Sequence, residues 1–566
     1  MSSSQLKHAQ NLLTAQQYAQ AAKAFENIVD EQTQNVAAYT GLALCNLSLG
    51  NHFEALGCAV DACQFGGYQP SELVVLLKVL TSGRFSSYLK PVEKALHKAL
   101  EHKYLEGQAV ELLRIQLMSK YKKVLEESIV ELNEPLEDML GDPTFYHVVS
   151  RTIIANHQLE KVILLGRKEL LRCIANNLDA RHYLPTMAAI ACQNLLNDGL
   201  YHTTEEEEQL LAQLEACEPV FKSEAVALKL CYASFDEAMA IWAQADDAFD
   251  NYKLNELATD LDFYQSVRSG AIEIASELNN ETSKTVQSFY KENPYPKYKV
   301  VNMSALSVTQ CMARLGMKAV PAPNILIAGC GTGLQVIELA FANPDGHITA
   351  IDISPMSISY AQQMVKRYQL SNVEFRLLDI LEAKQLAQQY DFIISTGVLH
   401  HMASPESGLK VLAELLKPQR TMVLGFYSEL GRRELPHIRK SVLSFFGSDN
   451  ITKEQLPLWR SQWSEQQKSE AWFNSNDFFN SNGMMDAIFH PQEAYYDLPT
   501  LEKMLTTAGL NFGSMALNNV QKARYQRALD DFEPLKSGES LSHWAEFEQL
   551  YPDFFMGMYN FFAIKQ

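Results

Sequence analysis

A glycine-rich loop, Gly329-Cys330-Gly331-Thr332-Gly333, follows directly on an apolar stretch of the chain. Glycine tolerates a positive φ and has no side chain, so such a loop can turn tightly and bring its backbone close to a ligand. A helix that starts behind the loop would offer free backbone N–H groups to a carboxylate or another polar group. A dinucleotide site prefers the spacing G-x-G-x-x-G, whereas this loop has G-x-G-x-G. By itself the loop predicts a nucleotide-like ligand, and its spacing disfavours NAD.

Three polar side chains follow the next three apolar stretches. Asp352 lies 19 residues after the last glycine of the loop, where a carboxylate can accept both hydroxyls of a ribose. Asp379 is placed to accept the exocyclic amine of an adenine, and Thr396 ends the fourth stretch. The carboxyl ends of successive parallel strands meet at the edge where open α/β sheets bind ligands. We therefore predict that these three residues, with Ile353 and Ile380, join the loop in one binding site.

Four more residues are candidates for chemistry. His400 and His401 follow the fourth apolar stretch, and the near-neutral pKa of histidine suits a general base. The alternative is that they only shape the loop. His490 and Glu493 are candidate polar groups of an acceptor site. As a metal pair they lack a third ligand, so that no metal is expected.

The segment FYKENPYPKY contains Tyr290, Asn293 and Tyr295, which are candidate substrate or lid residues. Pro294 and Pro296 forbid a helix and favour an extended or turning backbone. Two interpretations remain open. The segment is either a lid over the ligand cleft or a structural elbow between domains.

The elements that must position these residues change character along the chain. From residue 324 onwards, short apolar strands alternate with helices, which indicates a parallel, doubly wound α/β sheet. The predicted strands are 325–328, 347–351, 373–377, 392–395 and 421–426, and the helices between them are roughly 335–342, 356–369 and 405–417.

With its motifs GCGTG, AIDIS, LLDI and GVLHHM in order, the stretch 324–426 resembles the class I S-adenosylmethionine (SAM)-dependent methyltransferases. The resemblance implies a Rossmann-like sheet and SAM as cofactor. The three glycines would face the methionine part, Asp352 would hold the ribose and Asp379 the adenine amine. It also implies two last strands near 510–517 and 559–565, the second of them antiparallel. Many members have an acid two positions before the first glycine, where this chain has Ile327.

From roughly residue 185 to the end, the chain is similar to bacterial tetratricopeptide-repeat-fused methyltransferases. The segments FYKENPYPKY, LGFYSELGRREL, FHPQEAYYDLPTL and FMGMYNFFAIK carry this likeness, which implies no particular acceptor. An insertion at about 430–497 is rich in aromatic residues that would either wall the acceptor pocket or form a small core of their own. These residues are Trp459, Trp463, Trp472, Phe473, Phe478 and Phe479.

The first 70 residues repeat with a shift of 34, which places Ala9 on Ala43 and Leu13 on Leu47. That period is typical of tetratricopeptide repeats; the alternative is a generic pair of amphipathic helical hairpins. An all-α tetratricopeptide-like domain is thus expected before the sheet. The expected domains are repeats at 1–70, a continuing helical solenoid at 71–245, a hinge with the Asn-Pro-Tyr-Pro segment at 246–300, and a methyltransferase domain at 301–566.

Composition limits the partners. The net charge is −19, from 48 basic and 67 acidic residues, so no nucleic acid is expected. No apolar stretch is long enough to span a membrane, and the N-terminus lacks the apolar region of a signal peptide, which predicts a cytoplasmic protein. The solenoid suggests a protein or peptide as methyl acceptor. Alternatives are a small-molecule or glycan acceptor and a non-catalytic scaffold.

Overall fold

The computed structural model describes residues 2–83, 85–127, 133–216, 220–244, 251–273, 278, 280–462, 471–531 and 540–566. Trp463 and part of the expected hinge, residues 246–250, 274–277 and 279, lie outside these ranges.

Helices fill the described part of the N-terminal half. They are α1 (Ser2–Thr14), α2 (Tyr18–Glu31), α3 (Val36–Leu49), α4 (His52–Gly66), α5 (Pro70–Ser82), α6 (Lys90–Ala99), α7 (Lys103–Lys120), α8 (Lys122–Glu126), α9 (Glu134–Leu140), α10 (Pro143–Val149), α11 (His157–Ala175), α12 (Leu184–Leu196), α13 (Glu205–Ala216), α14 (Lys222–Leu230), α15 (Phe235–Gln244), α16 (Asn251–Glu273) and α17 (Glu281–Glu292). Across the described residues, none of the helices combines the length and the apolar character that crossing a bilayer requires.

The first four helices follow the expected period, because α3 begins 34 residues after α1 and α4 begins 34 residues after α2. Close packing between them depends on small residues. A Cβ on Gly41 would lie 2.3 Å from the ring of Phe25, and Phe25 is fully buried. The helical architecture of this half is therefore as expected, while its assignment to the tetratricopeptide family stays a prediction.

Seven strands form one sheet in the C-terminal half. They are β1 (Asn324–Ala328), β2 (His347–Asp352), β3 (Val373–Leu377), β4 (Tyr390–Thr396), β5 (Leu416–Tyr427), β6 (Leu510–Met515) and β7 (Met558–Lys565). The strand order is β3-β2-β1-β4-β5-β7-β6. Neighbours among β1 to β5 pair in parallel, and β7 runs antiparallel to both β5 and β6. This is the Rossmann-like sheet that the sequence predicts, including its antiparallel last strand.

The remaining helices alternate with these strands or belong to the insertion. They are α18 (Val308–Arg314), α19 (Leu334–Ala342), α20 (Pro355–Arg367), α21 (Pro405–Leu415), α22 (Leu435–Phe446), α23 (Leu456–Ser461), α24 (Ser481–Phe489), α25 (Leu498–Thr507), α26 (Asn519–Asp531) and α27 (Leu541–Leu550).

A long helix occupies much of the segment expected to be a hinge. In α16 the side chains of Leu254, Leu257 and Leu261 are almost fully buried, at the spacing of one helix face. The helix packs on α12 of the helical half and on α20 of the sheet domain. The middle of the expected hinge, residues 251–273, is thus a helix that contacts both halves.

The aromatic insertion packs into the helical half. Trp459, Phe473, Phe478 and Phe479 are each at most 2% exposed, and they belong to one hydrophobic core with residues of α4 to α12. The Arg460 guanidinium forms two hydrogen bonds, of 2.6 and 2.9 Å, with the carboxylate of Glu160 in α11. Of the two interpretations of these rings, the structure favours a core, and that core is shared with the helical half.

Candidate functional site

A cavity of about 460 Å³ lies at the carboxyl ends of β1, β2 and β4. One end is lined by Gly329, Cys330, Gly331, Asp352, Ile353, Asp379, Ile380 and Thr396, and the other by Tyr290, Tyr295, His401, Tyr427, Arg432, Asp477 and Asp486. We call these the loop end and the acidic end. Every predicted cofactor residue except Gly333 lies in the wall.

The glycine loop is shaped by close backbone approach. Gly329 and Gly331 have φ values of +76° and +52°, which side chains disfavour. A Cβ on Gly331 would lie 2.9 Å from the main-chain oxygen of Tyr295. Gly333 does not line the cavity; it precedes α19 and packs against Ala361 of α20. The loop therefore faces the cavity with backbone at two positions and uses its third glycine for helix packing.

Asp352 fixes the loop from the end of β2. Its Oδ2 accepts the backbone N–H of Gly331 and its Oδ1 that of Ser354, both at 2.8 Å. Burial raises the pKa of this carboxyl above its usual range, although both hydrogen bonds favour the ionised form. The carboxylate lies in the cavity wall and couples the shape of the loop to whatever binds there.

Asp379 lies at the end of β3 beneath helix α17. The hydroxyl of Ser283 in α17 donates to its Oδ2 at 2.5 Å, and the backbone N–H of Leu381 donates to its Oδ1 at 2.9 Å. Thr396 donates to the side-chain oxygen of Gln335 at 2.9 Å. Helix α17 thus covers the loop end of the cavity.

The acidic end combines two tyrosines with two aspartates. The hydroxyl of Tyr290 donates to Oδ1 of Asp486 at 2.8 Å, and that of Tyr295 donates to Oδ1 of Asp477 at 2.6 Å. Asp486 belongs to α24. The side chain of Asn480 caps the start of this helix. Burial, with the neighbouring Asp477, raises the pKa of Asp486 to about 7. Burial also raises the pKa of Asp477.

Arg432 is the cation at this end, and its guanidinium lies 3.6 Å from the ring centre of Tyr427. Its Nη2 lies 3.1 Å from Oε1 of Glu493 and donates to the main-chain oxygen of Ala487 at 3.2 Å. Glu493, a candidate acceptor group, therefore does not line the cavity but pairs with Arg432.

The two candidate catalytic histidines differ in their access to the cavity. His401 lines the cavity and its Nδ1 lies 2.8 Å from the main-chain oxygen of Gln492. His400 is fully buried, stacks on Tyr427 at 3.6 Å and lies outside the cavity wall. Burial holds the pKa of each imidazole well below its usual value. His400 is therefore a poor candidate for a base, because it has no access to an acceptor.

Two more candidates lie behind the wall. Asn293 is buried and donates to the main-chain oxygen of Phe289 at 3.1 Å. His490 stacks on His401, with ring centres 3.6 Å apart. The sequence suggested both from position alone, whereas backbone hydrogen bonding and packing turn them away from the cavity.

His401, Asp486 and His490 bring potential metal-ligand atoms within 4.8 Å of one another, a grouping that the pair His490 and Glu493 did not suggest. Gln492 holds both rings. Its oxygen contacts Nδ1 of His401, and its N–H donates to Nδ1 of His490 at 3.2 Å. A neutral imidazole has one donor and one acceptor nitrogen. Nε2 of His401 then has a lone pair while Nε2 of His490 has the proton, so only one ring is ready to bind a metal.

The interpretations of the Asn-Pro-Tyr-Pro segment as lid or elbow both find support in the contacts. Tyr290 and Tyr295 line the cavity, and Tyr298 donates to the main-chain oxygen of Thr332 at 2.8 Å. Lys297 donates to Asp198 of the helical half at 2.6 Å. The segment therefore contacts the glycine loop, the acidic end and the helical half together.

Sequence reasoning missed Asp477, Asp486 and Arg432. One signal was present in α24, where Asp486 is a single acid within the apolar run Met484-Met485-Asp486-Ala487-Ile488. A lone acid on a fully buried helix is a candidate for function. Asp477 had no comparable signal in the sequence. Its backbone packs closely on Gly483, where a Cβ would lie 2.9 Å from the Asp477 Cα.

Comparisons with known proteins agree with this geometry. Residues 321–477 match the family model described as a methyltransferase domain. An uncharacterized protein of Synechococcus sp. is 30% identical over 236 residues, which are 40% of this chain and 56% of that protein. Malonyl-(acyl-carrier protein) O-methyltransferase of Acetivibrio thermocellus is 38% identical over 112 residues, which are 20% of this chain and 38% of that enzyme.

Among solved structures, PKMT2 from Rickettsia typhi in complex with AdoHcy is 16% identical, with a TM-score of 0.34, over 49% of this chain and 54% of that one. The chain thus spans 56% and 38% of the length of the two sequence relatives.

Proposed function

We propose that this chain, which carries a class I SAM-dependent methyltransferase domain, transfers a methyl group from SAM to a protein or peptide that its helical half recruits. The observation that supports this proposal is the attachment of the acidic end to the helical half. Asp477 and Asp486 belong to the insertion that shares one core with α4 to α12, and Arg460 ties that insertion to Glu160. A module that holds the acceptor end in place is suited to presenting an acceptor.

The residues of the loop end fit SAM. A Cβ on Gly329 would meet Val398, and a Cβ on Gly331 would meet Tyr295. Because both residues lack a side chain, their backbone is free to contact the methionine part of SAM. Asp352 and Asp379, at the ends of β2 and β3, are acceptors for a ribose and an adenine amine. Ile327 is buried in the sheet core, so the acid usual at that position has no counterpart there.

SAM supplies a methyl carbon made electrophilic by positive sulfur. The residues of this chain would then align the acceptor with that carbon and exclude water. Helix α17 covers one end of the cavity, and Tyr290 and Tyr295 line the other. The same enclosure also suits a small molecule, so that acceptor size must be tested directly.

The test uses the full chain, tritiated methyl-SAM and a cell lysate, followed by acid precipitation. We expect label in the precipitated protein and about 10- to 100-fold less with the variant Asp352→Asn, which disturbs the glycine loop. Label confined to the soluble small-molecule fraction would overturn the protein acceptor. No label in either fraction would overturn methyl transfer itself.

A further inference from the structure

The acidic end has more negative charge than its described neighbours balance. Asp477, Asp486 and Glu493 all lie near the guanidinium of Arg432, and Arg439 acts on Glu493 as well. Arg432 forms its ion pair with Glu493 at 3.1 Å. Within the described ranges no ion pair joins Asp477 or Asp486 to a cation, and their hydrogen bonds at Oδ1 come from neutral tyrosines.

Burying the carboxylates of Asp477 and Asp486 side by side is costly when both are ionised, because the low polarity of the surroundings and their like charge both disfavour ionisation. A cation that enters the cavity would relieve both effects. Asp486 is only 5% exposed, yet it lines the cavity, so an occupant of the cavity is in reach of its carboxylate.

The wall around the two acids also suits a cation. Tyr290, Tyr295 and Tyr427 all line this end, and aromatic faces attract ammonium groups. Tyr427 already stacks on Arg432, which leaves the other two rings beside the aspartates that they hydrogen-bond.

A metal ion fits the same acids less well. His401 and His490 are held by Gln492 in complementary tautomers, so that His490 would have to exchange its proton and its backbone bond before it could bind.

We infer that the acidic end binds a protonated amine of the acceptor and that Asp486 removes its proton before methyl transfer. This inference rests on the proposed function and names its acceptor chemistry. The proton passes from the ammonium nitrogen to the Asp486 carboxylate, which frees the nitrogen lone pair. As the new N–C bond forms, the C–S bond of SAM breaks and its electron pair stays on sulfur, giving an N-methyl ammonium and S-adenosylhomocysteine. Tyr290 is a positioning residue for Asp486.

The first test is the chemistry of the product. Label that the full chain has transferred in a lysate is treated with alkali, which releases methyl esters as volatile methanol and leaves N-methyl groups in place. We expect the label to stay. Base-labile label would overturn the amine acceptor while leaving methyl transfer intact, so the two proposals fail separately.

The second test uses Asp486→Asn, with Asp449→Asn as matched control, because Asp449 is exposed in the same insertion. We expect turnover to fall at least about 100-fold in Asp486→Asn, as general bases contribute that much or more, with affinity for SAM within twofold. Asp449→Asn keeps full turnover. Full turnover of Asp486→Asn, or activity that EDTA abolishes and Zn²⁺ restores, would overturn the inference.

A third variant covers the case in which Asp486→Asn does not fold. Tyr290→Phe keeps the ring and removes the hydroxyl that lowers the pKa of Asp486. We expect the midpoint of the pH profile of kcat/KM for the acceptor to move to higher pH. An unchanged midpoint with reduced stability would indicate a purely structural tyrosine and would overturn the role of Asp486.

Discussion

The two ends of the cavity are built in different ways. The loop end is built from backbone and strand termini of residues 329–396 and is covered by α17, with carboxylates that hold main-chain N–H groups. The acidic end brings together side chains from α17, β5, the loop after it and the insertion, over residues 290–486. The first end therefore belongs to the sheet, whereas the second depends on how the insertion docks on the helical half. A substitution at one end should therefore leave the other end largely unchanged.

The largest separation of the two ends should come from Arg460→Met. The change leaves Glu160 buried without its partner, and breaking a buried ion pair costs about 3–5 kcal/mol. We expect urea unfolding to show that loss, with affinity for SAM nearly unchanged and acceptor turnover reduced. Arg433→Met is the control, since its pair with Asp553 is exposed at 39% and 62% and should contribute below about 1 kcal/mol. Equal losses in both variants would contradict the role of this contact.

A second contrast concerns pH. The pKa of Asp486 is raised to about 7, against about 4 in an unfolded chain, so its stabilising contribution is complete below pH 4 and disappears as pH rises to 7. Between pH 5 and 8 the unfolding free energy of the native chain should therefore fall by about 2–3 kcal/mol relative to Asp486→Asn. Urea unfolding at several pH values measures this difference. Parallel curves would show that Asp486 titrates normally.

At the loop end, Asp352→Asn should weaken SAM binding about 10- to 100-fold, since an amide cannot accept both backbone N–H bonds as the carboxylate does and a charged hydrogen bond contributes about 1.5–3 kcal/mol. Isothermal titration with SAM measures the change. Asp345→Asn, at an exposed site, is the control. Unaltered affinity in Asp352→Asn would remove this residue from the binding site.

The smallest expected effect comes from alanine substitutions at two glycines, which distinguish the cost of a positive φ from the cost of a steric clash with a neighbour. Gly331 and Gly447 have similar φ values of +52° and +60°, but only Gly331 has a neighbour within 4 Å of its missing Cβ. Both alanine variants should lose about 1 kcal/mol from the left-handed conformation. We expect Gly331→Ala to lose about 1–2 kcal/mol more and to bind SAM weakly, because Tyr295 must move. Equal stability of the two variants would show that the loop can yield.

Much of the sheet was predictable, because β1, β2 and β4 are short, mainly apolar runs that end at or just before a polar residue or glycine. The residues that line the loop end were predictable too, because they follow the carboxyl ends of successive parallel strands. The acidic end was not predictable in the same way, since Asp477 depends on a close approach to Gly483 and on packing of the insertion. The choice between His400 and His401 depends on one short turn, Leu399–His401. The hinge interpretation of 246–300 missed α16, which buries Leu254, Leu257, Leu261 and Val267 among many polar residues.

Lys297 has a consequence for how the molecule can change over time. Its ammonium lies 2.6 Å from Asp198 and from the main-chain oxygen of Leu195, both in the helical half, while Tyr295 two residues earlier lines the cavity. A neutral residue at position 198 would leave the buried ammonium of Lys297 without its carboxylate, and a neutral residue at position 297 would leave the carboxylate of Asp198 without its cation. The two positions should therefore vary together among descendants of this chain, and the helical half should be inherited with its catalytic partner as one unit.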